Sequence, residues 1–123
     1  MQHVPVGYFG ASTGSAAAII AAARLGKRIA AVVSRGGRPD LAGLVALAAV
    51  TAPTLLIVGG ADPGVIELTE QVLLQLRCDK ELAVVDGATH LFEEPGALQQ
   101  VAELATSWVS TKLARKETME HAS

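Results

Sequence analysis

Short apolar runs alternate with segments of helical periodicity along the chain. Four of the runs are uniformly apolar, short and bounded by glycine, proline or polar residues, a pattern that is typical of buried β-strands. The predicted strands cover residues 4–9, 28–33, 54–58 and 81–85. The predicted helices cover residues 15–25, 41–50 and 65–76, and a last helix begins near Pro95. Gly26 is expected to end the first helix and Asp40 to cap the second.

The alternation of strand and helix, repeated four times, predicts an α/β fold. Strands that are apolar throughout are covered on both faces, which indicates a parallel sheet of about four strands with right-handed crossovers and flanking helices. Residues 1–113 are predicted to form this single domain, and residues 114–123 a polar tail that frays. Because ligands bind beyond the carboxyl ends of the strands in such sheets, candidate chemistry is sought there.

The first predicted strand is followed by Gly10-Ala11-Ser12-Thr13-Gly14, a G-x-S-x-G pattern before a helix. On such a turn the serine hydroxyl is exposed, and the next backbone N–H, that of Thr13, faces a developing oxyanion. Ser12 is thus a candidate nucleophile. The alternative is a glycine-rich turn in which Ser12 caps the helix.

Two further candidates follow the third and fourth predicted strands. Asp62 is either the acid that orients an imidazole or simply the start of the next helix, and His90 is either a general base or a solvated loop residue. Glu93 and Glu94 are expected to be charges in the first turn of the last helix. Ser, Asp and His in this order, on one edge of a parallel sheet, have the order of the α/β-hydrolase triad.

Four segments resemble dienelactone-hydrolase-type α/β hydrolases, in the branch often fused to a phosphoribosyltransferase domain. They are GYFGASTG (7–14), VSRGGRPDL (33–41), APTLLIVGG (52–60) and GATHLFEEPG (87–96). The resemblance implies hydrolysis of a small-molecule carboxylic ester or similar acyl bond, with Ser12 as nucleophile, His90 as base and Asp62 as orienting acid. Dienelactone hydrolases proper use a cysteine nucleophile, so the lactone substrate is not implied.

The resemblance covers the C-terminal half of the family's fold. The second oxyanion N–H is therefore expected to be missing, and losing one such donor costs about 10²–10³ in turnover. The Val4–Phe9 strand is expected to be an open edge that pairs with a second copy or with a complementing chain. A catalytically impaired fragment or assembly module is thus an alternative to an active hydrolase.

A dinucleotide-binding domain is a lesser alternative. Gly7, Gly10 and Gly14 resemble a phosphate loop, and Ser34-Arg35 could hold the 2′-phosphate of NADP. This interpretation leaves Asp62 and His90 unexplained. Arg35 and Arg38, on the loop after the second strand, are candidate contacts for an anionic substrate group, with solvated loop charges as the alternative.

Composition excludes several other classes. Ten basic and twelve acidic residues give a net charge of −2, and aromatic residues make up only 3% of the chain, which argues against nucleic acid as a partner. The single cysteine, Cys78, permits no internal disulfide and no cysteine-built metal site. No histidine spacing suggests a metal, and no cofactor is expected. With no membrane segment or leader apparent, a cytoplasmic location is predicted.

Overall fold

A computed structural model describes residues 6–11, 14–89 and 91–122. Its centre is a four-stranded sheet in which every neighbouring pair is parallel and the order follows the chain. The strands are β1 (Val6–Ala11), β2 (Ile29–Arg35), β3 (Thr54–Gly59) and β4 (Lys80–Val85). The predicted α/β class and four-stranded parallel sheet are confirmed. Each strand lies within two residues of its predicted limits.

Four α-helices flank the sheet. They are α1 (Gly14–Leu25), α2 (Leu44–Ala49), α3 (Pro63–Gln75) and α4 (Ala97–Ala122), with short 3₁₀ turns at Gly26–Arg28 and Pro39–Ala42. The structure differs from the prediction at the C-terminus, because α4 continues to Ala122 where a fraying tail was expected. The polar character of this stretch does not prevent a helix, because alanine, lysine and glutamate, which recur in it, are strong helix formers.

The second predicted helix is shorter than its hydrophobic pattern suggests. Gly43 has a φ of 90°, a conformation open to glycine but not to a helical residue, and it separates the 3₁₀ turn from α2. The expected N-cap role of Asp40 is therefore wrong. The Asp40 carboxylate instead accepts two hydrogen bonds from the Arg38 guanidinium, one from Nε at 2.9 Å and one from Nη2 at 2.8 Å.

Both faces of the sheet are covered by helices. Successive residues of a strand point to opposite faces, so Val32 packs with α1, α2 and α3 while Val33 packs beneath α4. Both valines are fully buried. This two-sided burial is the physical reason why β2 and β3 are largely apolar, whereas β4, at the edge of the described sheet, begins with the exposed residues Lys80 and Glu81.

Helix α4 contacts residues at the amino ends of the strands, opposite the edge at which their carboxyl ends lie. The indole N–H of Trp108 donates to the carbonyl oxygen of Pro53 at 3.3 Å, and the ammonium of Lys112 lies 4.3 Å from the indole centre and 2.9 Å from the Asp79 carboxylate. Neither α4 nor any other helix in the described residues has the length and apolar character needed to cross a membrane.

The strand order bears on the dinucleotide alternative. A dinucleotide crevice opens where the strand order reverses direction, as when the fourth strand lies beside the first. The four described strands run in the order β1-β2-β3-β4 with no reversal. Within the described sheet, then, the glycine-rich turn after β1 does not border such a crevice.

Candidate active site

The carboxyl ends of all four strands meet at one edge of the sheet, because the strands are parallel. The described segments that follow the strands lie at this edge. Asp62, Arg35 and Arg38 lie within the described residues. Ser12, Thr13 and His90 lie outside the described residues, so their placement stays a prediction. The described segments on either side of these three residues define the candidate site.

The turn after β1 brings helix and strand into close contact. A Cβ added at Gly10 would lie 2.5 Å from the carbonyl oxygen of Gly14 and 2.9 Å from the Cβ of Ala18. Side-chain atoms do not tolerate such distances, so only glycine permits α1 to approach the end of β1 this closely. Gly10 is the first glycine of the G-x-S-x-G pattern.

Ser15, at the start of α1, links the end of β1 to the loop after β2. Its buried hydroxyl donates to the carbonyl oxygen of Gly36 at 3.1 Å and lies 3.4 Å from that of Gly10. The N–H of Gly36 in turn donates to the carbonyl of Ile57, in β3, at 2.7 Å. The segment that carries Ser12 is therefore tied, through the loop after β2, to the segment that leads to Asp62.

Asp62 lies between β3 and α3, at the N-cap position of that helix, and is partly buried. Its backbone carbonyl accepts the N–H of Ile66 at 3.0 Å, as an N-cap does. Its side chain makes no capping hydrogen bond to the helix. The alternative interpretation, in which Asp62 only starts the helix, thus explains the hydrogen bond of the Asp62 backbone carbonyl. It gives the Asp62 carboxylate no role.

The loop of Asp62 packs directly against the loop that leads to His90. The N–H of Gly60 donates to the carbonyl of Val85 at 2.8 Å, and the N–H of Ala61 donates to the carbonyl of Ala88 at 3.0 Å. A Cβ at Gly59 would overlap the carbonyl oxygen of Ala88. The segments of the predicted acid and the predicted base therefore meet backbone to backbone, which glycine at position 59 makes possible.

We expect Gly59→Ala to lower the free energy of unfolding by about 1–3 kcal/mol, because the new methyl group must displace backbone rather than a flexible side chain. The matched control is Gly64→Ala in α3, where an added Cβ meets no described atom within 4 Å. The control should change stability by no more than about 0.5 kcal/mol, as for most exposed positions. Urea denaturation of both variants checks this, and equal stabilities would contradict the packing argument.

The loop after β4 is anchored by Phe92. Its ring is buried, its φ of 55° lies in the left-handed region, and its N–H donates to the carbonyl of Thr89 at 3.0 Å. The Arg35 guanidinium lies 5.3 Å from the centre of the Phe92 ring, within the range of a cation–π contact. Arg35 therefore joins the end of β2 to this loop. Such left-handed non-glycine residues concentrate at functional sites.

Arg38 is engaged within its own loop. Its guanidinium forms the two hydrogen bonds to Asp40, which raise the pKa of Arg38 above its ordinary value and lower that of Asp40. The Arg38 side chain remains 51% exposed. Since Asp40 already offsets its charge, an anionic substrate group would have to compete for Arg38. The substrate-binding role of either arginine stays a prediction.

Glu94 is a residue whose role the sequence did not reveal. Its carboxylate accepts the backbone N–H of Thr89 at 3.0 Å and the Thr89 hydroxyl at 2.8 Å. These bonds lower the pKa of Glu94 below its ordinary value. The expected position of Glu93 and Glu94 in the first helical turn is wrong, since α4 begins at Ala97 and has no acidic residue there. The pairing joins residues five apart and has no motif of its own.

No group of three or more His, Cys, Asp or Glu side chains within the described residues is arranged to hold a metal ion. Cys78, between α3 and β4, is partly buried, and its sulfur lies 3.6 Å from the Thr54 hydroxyl oxygen. Burial raises the pKa of the Cys78 thiol. A raised pKa disfavours the reactive thiolate form.

One solved structure and two curated proteins are similar to this chain. The chain is 58% identical to the dienelactone hydrolase of Anabaena variabilis, with a TM-score of 0.84, and the match covers 89% of this chain and 50% of that one. Two Mycobacterium tuberculosis proteins, each described as a candidate phosphoribosyl transferase, are 60% identical over 105 residues, 85% of this chain and 24% of theirs. No family model matches. The chain thus spans half the length of the hydrolase and about a quarter of the curated relatives.

Proposed function

We propose that this chain carries a Ser-His-Asp triad. The premise is its membership in the α/β-hydrolase superfamily, as a partial fold of the dienelactone-hydrolase-like branch. The proposed reaction is hydrolysis of carboxylic esters or related acyl bonds in small molecules. Ser12 is the nucleophile, His90 the general base and Asp62 the acid that orients the imidazole. No cofactor is needed for this chemistry.

One observation supports the proposal above the others: the three segments that carry the triad candidates are fastened to one another at one edge of the sheet. The Ser15 hydroxyl ties the β1–α1 turn to the loop after β2, and the Ala61 N–H ties the Asp62 loop to Ala88. In the sequence, Asp62 is next to Ala61 and His90 is two residues after Ala88, and the family resemblance assigns both to catalysis. Three separate strand ends rarely supply the right residue types together by chance.

The chemistry follows from the assigned roles. His90 accepts the proton of the Ser12 hydroxyl as the oxygen attacks the acyl carbonyl, and the N–H of Thr13 donates to the oxyanion. His90 then gives the proton to the leaving group, and a water activated by the same imidazole releases the acyl group. Arg35 and Arg38 are the proposed contacts for an anionic substrate group; Arg35 contacts the Phe92 ring and Arg38 is paired with Asp40.

Covalent labelling with a fluorophosphonate tests the proposal on the chain itself. We expect the reagent to label the wild-type chain, the Ser12→Ala variant to lose labelling, and His90→Ala to react more slowly because the hydroxyl is no longer deprotonated. The matched control is Ser110→Ala, an exposed serine of α4, which should label as the wild type does. Labelling that survives in Ser12→Ala would refute the assignment of the nucleophile.

A catalytically impaired hydrolase is the second candidate. Thr13 is the one oxyanion donor that the given sequence suggests, and lacking a second donor costs about 10²–10³ in turnover. In this case Ser12 would react with the fluorophosphonate while short-chain nitrophenyl esters turn over slowly. Comparing ester turnover by the wild type and His90→Ala distinguishes this candidate from an active enzyme.

We further propose that a second copy of the chain pairs with the outer edge of β1; a complementing chain was the other occupant considered. In the described sheet β1 pairs with β2 alone, so its other edge presents backbone groups that a strand can bind. Light scattering over a dilution series should show a mass above 12.6 kDa that falls on dilution. A mass of 12.6 kDa at every concentration would contradict the pairing.

A further inference from the structure

The loop between β4 and α4 is held from both sides of the position that His90 occupies in the sequence. On the amino side, the Glu94 carboxylate binds both the N–H and the hydroxyl of Thr89. On the carboxyl side, the buried ring of Phe92 fixes the chain in the core, and its N–H binds the Thr89 carbonyl. Every hydrogen-bonding group of Thr89 is therefore engaged within this loop.

These contacts bear on His90 through the peptide bond. The carbonyl of Thr89 belongs to the planar unit that joins Thr89 to His90, so fixing the carbonyl limits how that unit can rotate. Glu94 fixes the other side of the same residue with two charge-assisted hydrogen bonds, which are stronger than neutral ones. An error of about 1 Å in the placement of a catalytic group can cost about 10²-fold in rate.

The Glu94 side chain does not serve the helix that follows it. The helix α4 begins at Ala97, and its first turn is bound to Glu94 only through the backbone, with the N–H of Ala97 donating to the Glu94 carbonyl at 3.0 Å. Both carboxylate oxygens turn back to Thr89 instead. Because the Glu94 side chain binds Thr89, five positions earlier, it stabilises the loop and not the helix.

We propose that Glu94 is a positioning residue that holds the Thr89–Phe92 turn so that His90 meets Ser12 and Asp62. The proposal rests on the proposed function, because His90 is given the role of base there. In this proposal Glu94 acts on the loop through its two hydrogen bonds to Thr89. The lowered pKa of Glu94 is consistent with this role, since its carboxylate then stays ionised, and the two bonds stay intact, throughout the range near pH 6.5 in which an imidazole titrates.

The test uses the full chain and two independent measurements. The first is the heteronuclear NOE of the His90 backbone amide, which reports loop order whether or not the chain is catalytic. The second is the rate of fluorophosphonate labelling at Ser12. The variants are Glu94→Ala, which removes both acceptors, and Thr89→Val, which removes the hydroxyl alone; Thr89→Ser keeps both donors. Glu93→Ala, an exposed neighbour, is the matched control.

We expect Glu94→Ala to lose the ordered NOE of His90 and to label about 10- to 100-fold more slowly, with Thr89→Val intermediate and Thr89→Ser and Glu93→Ala like the wild type. Equal His90 order in the wild type and Glu94→Ala overturns the positioning role, whatever the labelling shows. Labelling that persists in Ser12→Ala overturns the proposed function instead, and the NOE still decides whether Glu94 orders the loop.

Discussion

We expect Asp62→Asn to lower the rate of fluorophosphonate labelling at Ser12 by about 10⁴-fold, with little change in stability. Asparagine has nearly the shape of aspartate but no charge, and it can hold an imidazole in the wrong tautomer, which is what costs about 10⁴-fold in serine-protease triads. The Asp62 side chain makes no capping hydrogen bond to α3, so the helix should be unaffected. The labelling rate and a thermal melt, measured on the same preparation, separate the two effects.

The matched control for this substitution is Asp86→Asn. Asp86 is an exposed aspartate just after β4, at the same edge of the sheet, and it has no assigned role in the triad. It should label at the wild-type rate. If Asp62→Asn labels as fast as Asp86→Asn, the carboxylate of Asp62 does not orient the base, and the helix-starting interpretation of Asp62 is the correct one.

The architecture could be predicted from the sequence because it depends on a strong and repeated signal. Val32 and Val33 are buried on opposite faces of the sheet, so this part of β2 must be apolar at successive positions and is easily recognised. The parallel arrangement follows from that two-sided burial and from the helices between the strands. The edge that carries the site follows from the parallel arrangement, which is why its general position was predictable as well.

The details of the site could not be predicted, because they depend on contacts between distant residues. Nothing near Gly59 in the sequence shows that the carbonyl of Ala88 will pack where a side chain would begin. Asp40 had the residue type and position of a helix cap, yet the left-handed conformation of Gly43 moved the helix start beyond its reach. Glu94 was misplaced for a similar reason, since α4 starts two residues after Pro95 rather than at it.

Phe92→Ala should lower the free energy of unfolding by about 3–5 kcal/mol, the usual cost of deleting a fully buried aromatic ring. The ring is 1% exposed and packs in the core beneath α4 with residues such as Val33 and Ile57. Because proteins are stable by only about 5–15 kcal/mol, the loss is a large share of the total. Urea denaturation, followed by the fluorescence of Trp108, the only tryptophan, measures it.

Leu91→Ala is the matched control, because Leu91 lies next to Phe92 in the same loop but is 55% exposed. Its loss should stay within about 0.5 kcal/mol, as for most surface substitutions. A second comparison isolates the backbone at Phe92. An alanine at a φ of 55° bears a steric cost of about 1–2 kcal/mol that glycine does not. Glycine loses about 0.5–1 kcal/mol more in conformational entropy. We therefore expect Phe92→Gly to be at least as stable as Phe92→Ala; a clearly less stable Phe92→Gly would mean that residue 92 is not held in the left-handed conformation.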